Sequence, residues 1–229
     1  MTKRNMTGAR ATGSGATRRN VLKGAAAATA GLALAAPFRA FAQGAGAGPI
    51  KIGALNVYTK AGGVFGEAIL ENMKMYVAEH GGKIAGRSVE FIKEDDEFNP
   101  QVALQKLRKL IESDKVDLIA GPLGSHIAAA MTQYMKRTGV PWIVTGAGST
   151  DLTKSHLPNM FRATLSNWQV ASTMGTWASE PVGKKAAVLA PDYLDGLDIA
   201  DAFKDFFAKG SGNVVKEIYN PVGTHDFSA

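Results

Sequence analysis

The sequence predicts an α/β protein organised around a doubly wound, mostly parallel sheet. From residue 50 onward, short apolar segments alternate with longer segments whose apolar residues recur at helical spacing. The alternation continues along the chain without an internal repeat of fixed period. A repeated strand, helix, strand order is typical of open sheets that carry helices on both faces.

The first predicted elements are a strand over residues 50 to 55 and a helix over residues 66 to 78, in which Ile69 and Met73 lie on one face. Residues 88 to 93 form the second predicted strand. Because their polarity alternates more clearly, we expect this strand at an edge of the sheet.

The next helix is predicted to start at Asn99 and Pro100. An Asn side chain can accept a hydrogen bond from a free backbone N–H, and proline at the first helical position sacrifices no hydrogen bond. The apolar stripe of this helix comprises Ala103, Leu104, Leu107, Leu110 and Ile111. Further strands are predicted over residues 116 to 120, 142 to 144, 186 to 190 and 214 to 219, and further helices over residues 126 to 137, 168 to 178 and 196 to 208. The first two of these strands are almost entirely apolar, as expected of strands covered on both faces.

The basic charge of the chain is confined to its first 42 residues. The 229 residues include 26 Lys and Arg against 20 Asp and Glu, but seven of the bases and none of the acids lie before residue 43. Residues 43 to 229 therefore carry a formal charge of −1. Because nucleic-acid binding requires basic residues gathered on a folded face, we expect no nucleic-acid partner. The absence of cysteine excludes a disulfide-stapled miniprotein and suits an oxidising compartment.

The first 42 residues resemble a twin-arginine export signal. Arg18 and Arg19 precede a weakly apolar Ala/Gly run, and residues 40 to 42 have the small-x-small pattern of a signal peptidase site. The run is too short for a membrane anchor, which needs roughly 20 apolar residues. We therefore expect cleavage before Gln43 and a periplasmic location.

Four loops are predicted to meet at one edge of the sheet, because ligands of open α/β sheets bind beyond the carboxyl ends of the strands. They cover residues 56 to 66, 121 to 125, 145 to 150 and 191 to 196. Their glycines let backbone N–H groups approach an anion, and their serines add hydroxyls near helix starts. Together the loops suit a small carboxylate, whereas each loop taken singly also fits an ordinary turn or helix cap.

The sequence contains no motif for phosphate binding, metal binding or nucleophilic catalysis. It has no P-loop pattern and no G-x-S-x-G elbow, and its four histidines include no pair at metal-ligand spacing on one helix. Two acidic groups are interpreted as solvated: residues 94 to 97, and the helix-face acids Asp192, Asp195, Asp198, Asp201 and Asp205. We therefore expect no enzymatic activity, no metal and no cofactor.

Short motifs in a fixed order resemble the type I periplasmic solute-binding proteins of branched-chain amino acid ABC transporters, the Leu/Ile/Val-binding group. They are Ile52-Gly53, Phe65-Gly66-Glu67, Asp95-Asp96, Asn99-Pro100, residues 121 to 125, Val140-Pro141, Phe161-Arg162, and Tyr193 with Gly196. The resemblance runs from residue 50 to the last residue. It implies two doubly wound parallel-sheet lobes that are joined by a hinge and close on a small ligand without altering it. It also implies a membrane permease coupled to ATP hydrolysis as the partner.

The resemblance further implies a set of ligand-binding residues. They are Phe65, Ser125, Ala147, Gly148, Ser149 and Tyr193. Ser125 matches the hydroxyl that holds the ligand carboxylate, with help from backbone N–H groups of the 147 to 149 segment. Phe65 matches an aromatic wall for the ligand side chain, and Tyr193 matches a contact from the second lobe.

Three departures from the family pattern bear on the site. In the family, one residue binds the ligand ammonium through its hydroxyl, and that residue aligns with Gly148. To bind an amino acid, this protein would have to use the hydroxyl of Ser149 instead. Phe98 and Gly124 stand at two positions that form a disulfide in some members. Trp168 adds aromatic surface that would suit a flatter or larger ligand.

The expected organisation is a signal peptide over residues 1 to 42, an N-terminal ligand-binding lobe over residues 43 to 164 and a partial C-terminal lobe over residues 165 to 229. Since family members continue through the rest of the second lobe, the sequence is interpreted as truncated, with that lobe incomplete. The expected ligand is a branched-chain amino acid or a similar small carboxylate, and an aromatic acid or a small amide is the alternative. An exported α/β hydrolase and an extracellular sensor domain are alternative classes.

Overall fold

The computed structural model describes residues 48 to 227, and the predicted twin-arginine signal with its cleavage site lies outside this range. The strands are β1 (Ile50–Asn56), β2 (Lys83–Ile84), β3 (Arg87–Asp95), β4 (Leu118–Ala120), β5 (Trp142–Val144), β6 (Met160–Arg162), β7 (Lys185–Pro191) and β8 (Asn213–Asn220). The helices are α1 (Gly63–Glu79), α2 (Pro100–Arg108), α3 (Ser125–Thr138), α4 (Thr150–Lys154), α5 (Asn167–Ala178) and α6 (Leu194–Lys209).

The strands form two sheets. The larger has the order β2-β3-β1-β4-β5-β6, and the smaller pairs β7 with β8. Every pair is parallel except β2 with β3, which is antiparallel. The direction of winding reverses between β1 and β4, so that helices cover both faces and a crevice opens at the carboxyl ends of these two strands. The predicted doubly wound parallel α/β fold is confirmed.

The core of the larger sheet lies under α2 and α3. Leu107 and Leu110, from α2 and the π-helical turn that extends it, are fully buried with Ile127 and Met131 of α3. Trp142 is also fully buried, and its indole N–H donates to the carbonyl oxygen of Gly121 at 2.6 Å. This bond ties the loop before α3 to the rigid interior of the sheet.

The smaller sheet is associated with the pair α5 and α6, which pack against each other. Gly175 permits their close approach, because a Cβ there would lie 2.7 Å from the carbonyl oxygen of Phe203. The Trp168 and Phe206 rings meet edge to face at the same contact, with their centroids 5.1 Å apart. No helix between residues 48 and 227 is both long enough and apolar enough to span a bilayer.

Most predicted elements are present, and the differences have local causes. The side chain of Asn99 accepts hydrogen bonds from the N–H groups of Gln101 and Val102, which confirms the predicted start of α2. β3 is not the edge strand that we expected, because β2 pairs with its first two residues and forms the edge. The sequence did not predict β2, α4 or β6, because these elements are too short to display a period and lack the continuous apolar run that identifies the equally short β4 and β5.

Candidate ligand-binding site

Three hydrogen-bond donors at the carboxyl edge of the larger sheet converge on one carboxylate. The N–H of Ser125 donates to Oδ2 of Asp195 at 3.0 Å, and Nδ2 of Asn167 donates to Oδ1 at 2.9 Å. The hydroxyl of Ser125 also donates to Oδ1. We call these donors, the N–H and hydroxyl of Ser125 with the Asn167 amide, the carboxylate cradle.

The cradle is built on the start of α3, where the chain leaves the Gly124 turn. The first N–H groups of any helix have no intrahelical partner and carry the positive end of the helix dipole, and the N-cap residue Gly124 has no side chain to cap those of α3. Ser125 is fully buried, and its oxygen accepts the N–H of Ser149 at 2.9 Å. Since the oxygen accepts that bond, the hydroxyl hydrogen is available to donate, and it donates to the Asp195 carboxylate.

Arg162, the last residue of β6, fixes the loop on the far side of the cradle. Its guanidinium donates to the carbonyl oxygens of Gly148 at 3.0 Å and Ser149 at 2.5 Å. Burial lowers the pKa of Arg162, and the carboxylates of Asp198 and Asp195 partly offset that effect. Arg162 thereby holds the segment whose Ser149 N–H donates to the Ser125 oxygen.

Asn167 takes the space that a side chain at position 148 would need. A Cβ on Gly148 would lie 2.1 Å from Oδ1 of Asn167, and the N–H of Asn167 donates to the Gly148 carbonyl at 2.7 Å. Asn167 is the first residue of α5, which starts at the capping box formed by Ser166 and Gln169. The space beside Gly148 is therefore filled by an amide that reaches in from another helix.

An aromatic cluster borders the cradle. The ring of His126 lies 4.5 Å from that of Phe98 and 5.6 Å from that of Tyr193, both edge to face. Burial, with a smaller contribution from Asp195, raises the pKa of Tyr193. A Cβ on Gly124 would lie 2.8 Å from the Phe98 ring, so positions 98 and 124 adjoin.

A cavity of about 650 Å³ opens next to this cluster. Its walls are mainly apolar, and they come from the carboxyl ends of β1, β7 and β8 and the segments that follow them. Its lining includes Val57, Lys60, Phe98, Leu123, Leu189, Tyr193, Val222 and Phe227. The ammonium of Lys60 donates to the carbonyl oxygen of Glu97 at 3.0 Å.

The structure brings some of the expected site residues together and separates others. Ser125 belongs to the cradle and Ser149 supports it through its backbone N–H, but neither serine is among the residues that line the cavity. Tyr193 lines the cavity. The Ala147 N–H donates to the carbonyl of Pro122 and is thus not presented to a ligand. Phe65 is 61% exposed on α1 and is not among the residues that line the cavity, so it forms no wall in this arrangement.

The solvated interpretation of the two acidic groups is wrong for four residues. Asp195 occupies the cradle, and Asp198 accepts the N–H and hydroxyl of Thr150 at 2.9 and 3.1 Å. Glu94 is buried and pairs with two lysines of the α2 segment, and Asp96 is fully buried. Asp192, Asp201 and Asp205 are exposed as expected. Within the described part of the chain, no group of acids and histidines is arranged to hold a metal ion.

Sequence reasoning missed Asn167, Arg162 and Asp195 as site residues. Asn167 and Asp195 both lie at helix starts. Because acids are ordinarily favoured in the first turn of a helix, Asp195 did not stand out as a site residue. The edge rule did select residues 191 to 196, the loop after β7 that contains Asp195, but the acid itself was interpreted as solvated.

Comparison with known proteins places the chain in a family. Residues 49–229 match the family model for periplasmic binding proteins. The Leu/Ile/Val-binding protein homolog 6 of Brucella abortus (strain 2308) is 29% identical over 195 residues, which cover 84% of this chain and 50% of that protein. A solute-binding protein of an ABC transporter from R. palustris, solved in complex with benzoate, is 35% identical with a TM-score of 0.77 and covers 79% of this chain and 51% of that chain.

A second solved relative comes from Rhodopseudomonas palustris BisB5 and is a solute-binding protein of an ABC transporter in complex with 3,4-dihydroxy benzoic acid. It is 32% identical with a TM-score of 0.74, and the match covers 78% of this chain and 49% of that chain. The protein described here belongs to the periplasmic binding protein family, and its resemblance to the type I members is confirmed. The chain spans about half the length of the curated relatives it matches.

Proposed function

We propose that the protein is the substrate-binding component of an ABC uptake system and holds a small carboxylate in the carboxylate cradle. The observation that carries the proposal is the convergence of the Ser125 N–H, the Ser125 hydroxyl and the Asn167 amide on a single carboxylate group. The cradle lies where open sheets bind their ligands. Relatives that are solute-binding proteins of ABC transporters support the same assignment.

The proposed mechanism is closure of two lobes around the ligand. The Ser125 donors of the cradle belong to the larger sheet, whereas Asn167 and Tyr193 belong to the part of the chain that carries the smaller sheet, so a ligand that contacts both parts favours the closed state. Each hydrogen bond to a charged carboxylate contributes about 1.5 to 3 kcal/mol. Burial of an apolar ligand group against the cavity wall contributes about 1.5 to 3 kcal/mol more. The sum is compatible with micromolar binding, which corresponds to about −8 kcal/mol.

The favoured ligand is an aromatic carboxylate. Asn167 fills the space beside Gly148, where the family pattern places the hydroxyl for an amino-acid ammonium, so the cradle presents donors that suit a carboxylate. The adjoining cavity is mainly apolar and bordered by Phe98 and Tyr193, which suits a planar ring. Benzoate and a dihydroxybenzoate occupy the two solved relatives. A branched-chain amino acid is the second candidate, because the Brucella relative is named a Leu/Ile/Val-binding protein homolog.

The proposal also covers location and organisation. The larger sheet ends at Arg162 and the smaller begins at Lys185, which supports an N-terminal lobe over residues 43 to 164 and part of a second lobe over residues 165 to 229. The basic leader with Arg18 and Arg19 supports export by the twin-arginine route, cleavage before residue 43 and a periplasmic location. The partner would be a membrane permease that receives the loaded protein.

A role in binding rather than catalysis fits the surroundings of Ser125. Its hydroxyl is bonded to Asp195 and Ser149, and no histidine among the described residues is hydrogen-bonded to it. The neighbouring His126 directs Nε2 toward the carbonyl oxygen of Phe98 at 3.4 Å instead. A serine nucleophile requires a base within hydrogen-bond reach.

Calorimetric titration with benzoate, leucine and benzamide tests the proposal. We expect benzoate to bind, and benzamide to bind more weakly because its neutral amide forms weaker hydrogen bonds. Ser125→Ala should weaken benzoate at least roughly tenfold, since it removes a donor to a charged group. Thr132→Ala is the matched control, because its hydroxyl bonds to the Ala128 carbonyl two turns along the same helix. Absence of binding by all three compounds, or equal binding by the Ser125→Ala variant, would contradict the proposed role of the cradle.

A further inference from the structure

The carboxylate in the cradle belongs to the protein itself and comes from the other sheet. Asp195 lies in the first turn of α6, directly after β7, whereas Ser125 starts α3 on the larger sheet, 70 residues earlier. Both Asp195 oxygens are engaged, one by the Ser125 N–H and the other by the Ser125 hydroxyl and the Asn167 amide. These are the donors that the proposed function assigns to the ligand.

The direction of the Asp195 side chain is informative. An acid in a first turn is ordinarily explained by the dipole of its own helix, and the N-cap residue of α6, Tyr193, provides no side-chain cap. The Asp195 oxygens nevertheless accept hydrogen bonds from Ser125 at the start of α3 and from Asn167 on α5. One turn later, Asp198 contacts Thr150 at the start of α4. The beginning of α6 is thus held to the larger sheet by two carboxylates, of which Asp195 alone is bonded to the cradle.

We infer that Asp195 is an internal competitor for the ligand carboxylate: it fills the cradle until a ligand displaces it. The inference rests on the proposed function of the cradle. Ser125 has one backbone N–H and one hydroxyl hydrogen, so the cradle cannot serve two carboxylates. Two carboxylates at the same donors would also repel each other.

The inference predicts a weaker apparent affinity for carboxylates than the cradle alone would give. If Asp195 occupies the cradle nine-tenths of the time, the competent fraction is one-tenth, and the apparent dissociation constant rises about tenfold. Removal of the Asp195 carboxylate should therefore strengthen binding about tenfold or more. Removal of Asp198 should not, because that side chain is bonded to Thr150 and leaves the cradle filled.

The first experiment compares benzoate binding by the wild-type protein, Asp195→Ala and Asp198→Ala. We expect Asp195→Ala to bind about tenfold or more tightly than the wild type, and Asp198→Ala to bind like the wild type. Equal benzoate affinity in all three proteins would overturn the inference and leave the proposed function standing. If circular dichroism shows that Asp195→Ala is unfolded, Asp195→Asn replaces it. The Asn side chain keeps the shape of Asp, but its NH2 group cannot accept hydrogen bonds from the cradle donors. Tighter benzoate binding is therefore again expected.

The second experiment uses acetate, a probe that carries the carboxylate and little else. At a concentration well above its dissociation constant, sodium acetate should raise the Tm of Asp195→Ala by about 2 to 4 °C over sodium chloride of equal ionic strength. The wild type and the double variant Ser125→Ala/Asp195→Ala should not respond, because the cradle is filled in one and incomplete in the other. An equal response of the wild type and Asp195→Ala would overturn the inference.

The two experiments separate failure of the inference from failure of the proposed function. If acetate stabilises Asp195→Ala while neither benzoate nor leucine binds to any variant, the inference about the occupant of the cradle is supported and the proposed ligand classes are overturned. If benzoate binds but acetate leaves Asp195→Ala unchanged and the affinities are equal, the proposed function is supported and the competitor role is overturned.

Discussion

Replacement of Asp96 by asparagine tests how burial at the end of β3 controls stability. Asp96 is fully buried: its Oδ1 accepts the Phe98 N–H at 2.8 Å, and its Oδ2 has no hydrogen-bond partner. Burial, reinforced by the neighbouring charge of Asp95, raises the pKa of Asp96 from 3.8 to about 6, although the Phe98 N–H and Lys60 act in the opposite direction. The folded protein therefore holds this proton more tightly than the unfolded chain.

The magnitude follows from linkage. A difference of about two pKa units, at 1.36 kcal/mol each, corresponds to roughly 3 kcal/mol. Because the folded pKa is the higher one, stability is greatest below about pH 4, falls as the pH rises from about 4 to about 6, and is constant above that range. Asp96→Asn cannot ionise and escapes this loss. Its unpaired amide costs about 1 kcal/mol or more at every pH.

The assay is urea unfolding of the wild type and Asp96→Asn at about pH 4 and pH 7.5, followed by circular dichroism. We expect the free energy of unfolding of the variant, relative to the wild type, to increase by up to about 3 kcal/mol between the two pH values. Titrating groups that do not interact with Asp96 cancel in this difference. Glu94→Gln is the control of opposite sign: burial acts against it, but ion pairs with Lys106 and Lys109 lower the pKa of Glu94. A relative stability of Asp96→Asn that does not change with pH would refute the reasoning.

Two further substitutions probe the supports of the cradle. Gly148→Ala places a Cβ 2.1 Å from Oδ1 of Asn167, so we expect a loss of about 1 to 3 kcal/mol in urea unfolding and weaker benzoate binding by calorimetry; full retention of both would exclude close contact at this point. Trp142→Phe removes the buried N–H donor to the Gly121 carbonyl and should cost about 1 to 3 kcal/mol, measured in the same way, with the exposed Trp177→Phe as its control. Unchanged stability of Trp142→Phe would mean that the Gly121 carbonyl finds another partner.

Much of the fold follows directly from local patterns. The alternation of apolar strands and striped helices predicts the doubly wound sheet, and Asn99 with Pro100 predicts the start of α2 because both act on backbone groups within a few residues. The same logic selects the loops that contain Ser125 and Ser149, since the rule for ligand binding at carboxyl edges needs only the position of a strand and the turn after it. The family resemblance then favours Ser125. Local patterns do not predict the short strands β2 and β6, because these strands are defined by their pairing with neighbours rather than by a period in the sequence.

The sequence by itself determined the order of the long elements, and it predicted a ligand edge and a serine for the carboxylate. Only the tertiary structure decided which groups meet that serine. Asp195 and Asn167 follow it by 70 and 42 positions and reach it from other helices, and the space beside Gly148 is closed by a side chain 19 positions later. A sequence period identifies the face of an element that is buried, but the side chain that approaches from a distant element depends on how the elements pack.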